Sequence, residues 1–222
     1  MPPLVDKLTV GSRVTIAADA ELRGTISIGS GSVVHPRCTV LALSGAIVMG
    51  SNIIIEETCV IVNRSGRTMK IGDENLFEVG CRIEAISVGN NCVFEHRCKV
   101  GPGVIVDSFV TVGAACAITG YPTVGESNAK EAADILNETA ELDGFGAVAE
   151  ADYTNFSQAA APKPDEVVQK IPPNTIVFGA GGDCRMRLWS GNGIRQREAL
   201  HAKHLEYLRE TFSKAHKLKV ID

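Results

Sequence analysis

Val88-Gly89-Asn90-Asn91-Cys92-Val93-Phe94-Glu95-His96-Arg97-Cys98-Lys99-Val100 sets Val88, Phe94 and Val100 six residues apart, with Cys92 and Cys98 four places after the first two. The spacing runs outward in both directions. Upstream it gives Val10, Ile16, Leu22, Ile28, Val34 and Val40, then Met49, Ile55 and Ile61, then Ile71, Phe77 and Ile83; downstream it gives Val106, Val112 and Ile118. Glycine follows the aliphatic at Gly11, Gly29, Gly50, Gly72, Gly89, Gly101 and Gly113. A fixed short period of this kind decides a fold before any other signal. Strands alternate their side chains between two faces, so the aliphatic points inward, the small residue four places on points inward again, and a corner lies between. Glycine at that corner is expected to supply unusual backbone angles. Asn52, Asn75, Asn90 and Asn91 are of a type that accepts left-handed conformations.

The expected fold is all-β, a parallel β-helix of hexapeptide repeats. Three strands make one triangular coil of about eighteen residues, and coils stack about 4.8 Å apart, giving about seven coils and a prism on the order of 30 Å tall. Three departures from register mark loops. Val40 to Met49 is three residues too long around Leu43-Ser44-Gly45, Ile61 to Ile71 is four too long around Asn63-Arg64-Ser65-Gly66-Arg67, and Ile83 to Val88 is one too short. The coils are expected over 4–120, with an insertion at 121–170, a last coil at 171–180, then a linker and C-terminal helix over 181–222. Between 126 and 166 lie ten acidic residues and two basic ones, so this stretch carries −8 of a chain whose net charge is −4. Such a stretch reads as solvated or disordered, with a short helix possible at 127–142 and Phe145, Tyr153 and Phe156 as apolar anchors for a partner. Over 194–218, Leu205, Leu208, Phe212 and Ala215 recur at helical spacing, which predicts a helix packed along one side of the prism. Arg195, Arg197, Lys203, Arg209, Lys214 and Lys217 are expected on its other faces, with His201 and His204 solvated.

Composition agrees with a narrow interior: 45% of residues are hydrophobic and only 5% aromatic. The net charge argues against general nucleic-acid binding. No apolar run of membrane-spanning length is present, and the first residues show no basic region followed by an apolar run, so neither a membrane span nor a secretion signal is expected. Of seven cysteines, Cys38, Cys59, Cys81, Cys92, Cys98 and Cys116 fall in the second inward slot, where a thiol acts as a small hydrophobe. Cys184 lies outside the repeat and has no assignment.

Two enzyme classes use this repeat. The γ-class carbonic anhydrases hold zinc with three corner histidines. Aligning their pattern through Gly50-Ser51-Asn52 and Ile71-Gly72-Asp73 puts the ligand sites at Val62, Asp73 and Glu78, and none is histidine. Catalytic zinc needs three good ligands and an open fourth position, and valine cannot ligate. Hexapeptide acyltransferases use a corner histidine as general base. His96, two residues after Phe94, is the candidate, with His35 weaker. The Gly-x-Pro-Ala-Lys ending frequent in those enzymes is replaced by Phe178-Gly179-Ala180-Gly181-Gly182. No catalytic, cofactor-binding or metal residue is therefore assigned.

The stretch Ile71-Gly72-Asp73-Glu74-Asn75-Leu76-Phe77-Glu78-Val79-Gly80-Cys81 resembles the central coil of the dynactin subunit 6 family. So do the ending Ile171-Pro172-x-Asn174-Thr175-x-Val177-x-Gly179-Ala180 with Cys184-Arg185, and the segments Glu21-Leu22-Arg23-Gly24, Val33-Val34-His35-Pro36 and Ile55-Glu56-Glu57. The resemblance covers about 5–120 and 170–218 and includes the shortened hexad before Val88; the acidic insertion departs from it. It implies a left-handed coil and a non-catalytic, cytoplasmic, cytoskeleton-associated subunit of dynactin, the cofactor of dynein in microtubule-based transport. The implied partners are a second β-helix subunit, an actin-related protein and a zinc-binding companion at the pointed end, with cargo adaptors engaged indirectly. The alternative is an acyltransferase using His96.

Overall fold

A computed structural model describes residues 6–118 and 169–219. The acidic insertion, with its short helix and aromatic anchors, lies outside the described residues apart from Gln169 and Lys170. Twenty-one described strands run from β1 (Lys7–Val10) to β21 (Asp183–Leu188), followed by one described helix, α1 (Ile194–Ala215). They form a left-handed parallel β-helix with three sheets.

Each sheet stacks one column of the repeat. Val10, Ile28, Met49, Ile71, Val88, Val106 and Ile171 pair in sequence down the first sheet. Ile16, Val34, Ile55, Phe77, Phe94, Val112 and Val177 do so down the second. Leu22, Val40, Ile61, Ile83, Val100 and Ile118 make the third. There are thus six complete coils and a seventh built from β19 (Gln169–Ile171) and β20 (Thr175–Ala180). Apart from Val10 and Leu22 in the end coil, every one of these side chains is buried.

All register departures fall on one edge of the prism, between the third sheet and the first. Both long corners, the short one and the jump from Ile118 to Ile171 leave there. Insertions at a corner spare the ladder, which explains why the edge tolerates them. The two long corners hold each other. Asn63, 1% exposed, donates through Nδ2 to Ala46 O at 3.0 Å and Arg67 O at 2.7 Å, while its Oδ1 accepts from Ser65 N–H.

The structure corrects the reason for the corner glycines. Gly11, Gly29, Gly50, Gly72 and Gly89 stack in one column and none has positive φ. They are glycine because the next coil is too close: a Cβ at Gly29 would sit 2.4 Å from Gly50 C, and one at Gly89 would sit 2.5 Å from Ser108 N. Positive φ falls instead three residues after the aliphatic, at Arg13, Asn52, Glu74, Asn91, Phe109 and Asn174 on one corner and at Arg37, Thr58, Arg97 and Ala115 on the next. Asn75 and Asn90 are not left-handed. Asn75 points inward, donating to Gly72 O at 2.9 Å and Gly89 O at 2.8 Å and accepting from Cys92 N–H at 2.8 Å, so it ties two coils together. Left-handed backbone costs a non-glycine residue about 1–2 kcal/mol. Thr58 is exposed, β-branched and at φ 59. Thr58→Gly is expected to raise stability by about 0.5–1 kcal/mol, the gain being reduced by glycine's larger unfolded-state entropy. Gly72→Ala should lower it, since the new Cβ meets Gly89 O at 2.7 Å. Denaturant melts of both variants check the pair.

Five cysteines, Cys38, Cys59, Cys81, Cys98 and Cys116, stack above Ala20 in one corner column, and Cys92 occupies another; all six are buried and free. Helix α1 lies on the second sheet, where Leu205, Leu208 and Phe212 cover Ala17, Val33 and Ile54. Val33 and Ile54 point outward by strand alternation yet are fully buried by the helix. The stretch expected as linker contains β21, which pairs antiparallel with β20.

Candidate functional site: coil corners and the helix-covered face

His96 stands on the corner between the second and third sheets, as its spacing predicts. Its side chain is 62% exposed, and its Nδ1 pairs with the Glu78 carboxylate of the preceding coil. Glu78 also accepts the His96 backbone N–H at 3.2 Å. One coil up, Glu95 accepts the Ala114 N–H at 3.0 Å in the same way, with no histidine involved. The carboxylate at this register is therefore a clamp between coils, and the contact with the His96 ring is added to it. Burial, then the neighbouring Glu78, raises the pKa of Glu56 in the same column. Among the described residues, surface hollows of about 470, 490 and 340 Å³ are lined by residues other than His96.

The other candidates are spread apart. Val62 is 1% exposed and apolar. Asp73 accepts the Ser51 N–H at 2.7 Å on a different corner from Glu78. Among the described residues no group of three His, Cys, Asp or Glu side chains is placed to hold a metal ion. Cys38, Cys92 and Cys116 are thiols rather than thiolates at neutral pH. Burial first of all pushes Cys38 up to about 12, and Cys92 and Cys116 to about 11. Cys184 closes the top of the core, its Sγ 3.1 Å from Gly181 O.

His35 is not an open corner base. Its ring meets Phe212 of α1 edge to face at 5.0 Å, and its Nε2 is buried without a partner. His201 is likewise not solvated: its Nε2–H donates to Asn52 O at 2.7 Å. Arg197 and Arg209, expected on free faces, anchor the helix to coil corners. Arg197 donates to Thr111 Oγ1 at 3.0 Å and Asn91 O at 2.9 Å, and Arg209 donates to Gly31 O and to Asn52 Oδ1. A signal for two of these was present. Arg197 and His201 extend the stripe of Leu205, Leu208 and Phe212 upstream at helical spacing, but polar side chains do not register as a stripe.

This interface predicts a pH dependence. Burial lowers the pKa of both His35 and His201 from the ordinary 6.5; Glu57 opposes the shift at His35, while His204 and His216 reinforce it. At His201, the Asn52 carbonyl and Glu74 oppose it, while His204 and Arg197 reinforce it. With the helix docked, both rings are neutral at neutral pH, and the unfolded chain takes protons more readily. Their contribution is complete above pH ~6.5 and is lost as the pH falls below it. The melting temperature is expected to be lower at about pH 5.5 than at about pH 7.5, and less pH-dependent in His35→Phe/His201→Gln. Identical pH profiles for the variant and the parent would take these two rings out of the account.

The fold and its corners define a hexapeptide-repeat β-helix protein whose exposed corner histidine, His96, is held against a structural carboxylate. No family model matches the chain. Dynactin subunit 6 of Nematostella vectensis is 33% identical over 132 residues, which span 54% of this chain and 72% of that protein. The protein of the same name from Dictyostelium discoideum is 42% identical over 106 residues, spanning 47% of this chain and 56% of its own length. Among solved structures, a UDP-N-acetylglucosamine O-acyltransferase from Moraxella catarrhalis is 11% identical, with 90% of this chain and 81% of that one covered, at a TM-score of 0.35. A likeness that low carries no argument about chemistry. The chain belongs to the dynactin subunit 6 family. Among the described residues no helix is long and apolar enough to cross a membrane.

Proposed function

We propose that the chain is a non-catalytic assembly subunit of dynactin that works through protein contacts. Family membership carries this reading. The geometry is compatible with it. A stacked prism with a filled core offers preformed flat faces, and binding through such faces costs little ordering entropy. The resemblance further implies a place at the pointed end beside a second β-helix subunit, an actin-related protein and a zinc-binding companion, in support of dynein-based transport and, indirectly, of cargo adaptors. Affinity purification of the tagged chain from its own cells is the test. Dynactin subunits in stoichiometric yield are the expected result, and their absence under gentle lysis would end the assignment.

One observation favours a second reading. The pairing of His96 with Glu78 is the orientation a corner general base would need. Acyl-coenzyme A turnover that disappears in His96→Ala would put the acyltransferase reading first.

A further inference from the structure

The two ends of the prism are built differently. At the far end, Gly181-Gly182 turns the chain back and β21 lies antiparallel on β20, so β21 is the last strand of the second sheet among the described residues. Met186 pairs with Val177 and continues the inward column that begins at Ile16. Below it, each member of that column is buried by the coil above, whereas Met186 is 42% exposed and its inward-facing neighbour Leu188 is 71% exposed. Arg185 and Arg187 alternate with them on the opposite face, exposed and without an ion pair to any described residue. Phe178, 45% exposed, pairs with Arg185 on that outer face.

Among the described residues the outer backbone edge of β21 is open as well. The Trp189 N–H donates to Asn174 O at 2.6 Å, which sets the alternation of the hairpin ladder. Arg185 and Arg187 bond to β20, and Met186 and Leu188 turn their N–H and C=O groups to the free side. An edge of this length with apolar side chains is a template for a further strand.

We propose that β21 is a docking edge at which an extended segment of a partner protein, with acidic and apolar residues in alternation, adds as a further strand. Charge selects this occupant. A strand laid beside β21 places side chains opposite Arg185 and Arg187 on one face and opposite Met186 and Leu188 on the other, and opposite charges across a strand pair are favourable. A second copy of β21 would bring arginine against arginine, which is unfavourable. The inference rests on the reading of the chain as one that works through protein contacts, and main-chain pairing with alternate pockets is a known mode of such contacts.

The test is a fluorescence-anisotropy titration of the full chain with two labelled decapeptides, one of alternating glutamate and valine and one of alternating lysine and valine. The acidic peptide is expected to bind at least tenfold more tightly. Met186→Pro removes an outward N–H without touching a bond to β20, and it should weaken binding at least tenfold. Arg185→Glu/Arg187→Glu should reverse the preference, and it decides the matter alone if the proline variant fails to fold. Equal binding of the two peptides, or no reversal in the charge-swap variant, would overturn the proposal. So would slow hydrogen exchange at the Met186 and Leu188 amides of the isolated full chain, because a segment of the chain itself would then hold the edge. A chain that joins dynactin yet ignores both peptides would remove the docking edge and leave the subunit assignment standing.

Discussion

Val100→Asp is expected to abolish cooperative melting of the coil region. Val100 is 1% exposed, in the third sheet between Ile83 below and Ile118 above. A carboxylate there would lie in an apolar interior with no cation to pair with, and burying it uncompensated costs several kcal/mol even after it takes up a proton. The loss of packing adds to that. Total domain stability is about 5–15 kcal/mol, so one such residue consumes much of it. The neighbouring Lys99 points outward and cannot compensate, because adjacent residues on a strand face opposite ways. Circular dichroism during heating reads the outcome. A melt within a few degrees of wild type would mean that Val100 does not face the core and would break the register on which the fold rests.

Phe94→Ala should be the next most damaging change. Phe94 and Phe77 lie in register on consecutive coils, both fully buried, with ring centroids 4.8 Å apart and planes 7° from parallel. They stack at the coil spacing itself. Truncating a buried phenylalanine costs about 3–5 kcal/mol through lost transfer energy and the cavity left behind. The aromatic pair adds about 0.5–1.5 kcal/mol that is lost with either partner. Phe77→Ala should therefore cost a similar amount, and the double variant should cost less than the two single changes combined, because the pair is lost once. Strict additivity in urea titrations would show that the rings act as independent fillers. Phe94→Leu should recover much of the loss, since it restores volume without the ring.

Much of the fold was legible because the hexad is a local rule repeated on a fixed period. Val88, Phe94 and Val100 announce three sheets, and the slips around Leu43-Ser44-Gly45 and Asn63–Arg67 lie where the chain leaves the ladder. The cysteine slot was legible for the same reason. The candidate site was legible only in part. His96 is on a corner as its spacing requires, but its partner Glu78 is eighteen residues away, one coil earlier. His35 has the spacing of a corner residue and is nonetheless covered by Phe212, from the far end of the chain.

The sequence by itself determined the period, the three inward columns and the apolar stripe of α1, because those depend on which side chains avoid water at fixed spacing. Tertiary structure decided the rest. It chose which corner residues bend left-handed, placing Phe109 and Thr58 where glycine or asparagine would be expected, because stacking fixes backbone angles against intrinsic preference. It made Gly29 and Gly89 necessary through the closeness of the next coil rather than through φ. It turned Arg197 and His201 to the coil-facing side of the helix, where coil-corner carbonyls are within reach of their donors. And it made β21 the last strand of its sheet among the described residues, since nothing local in Asp183–Leu188 says whether another strand lies beyond it.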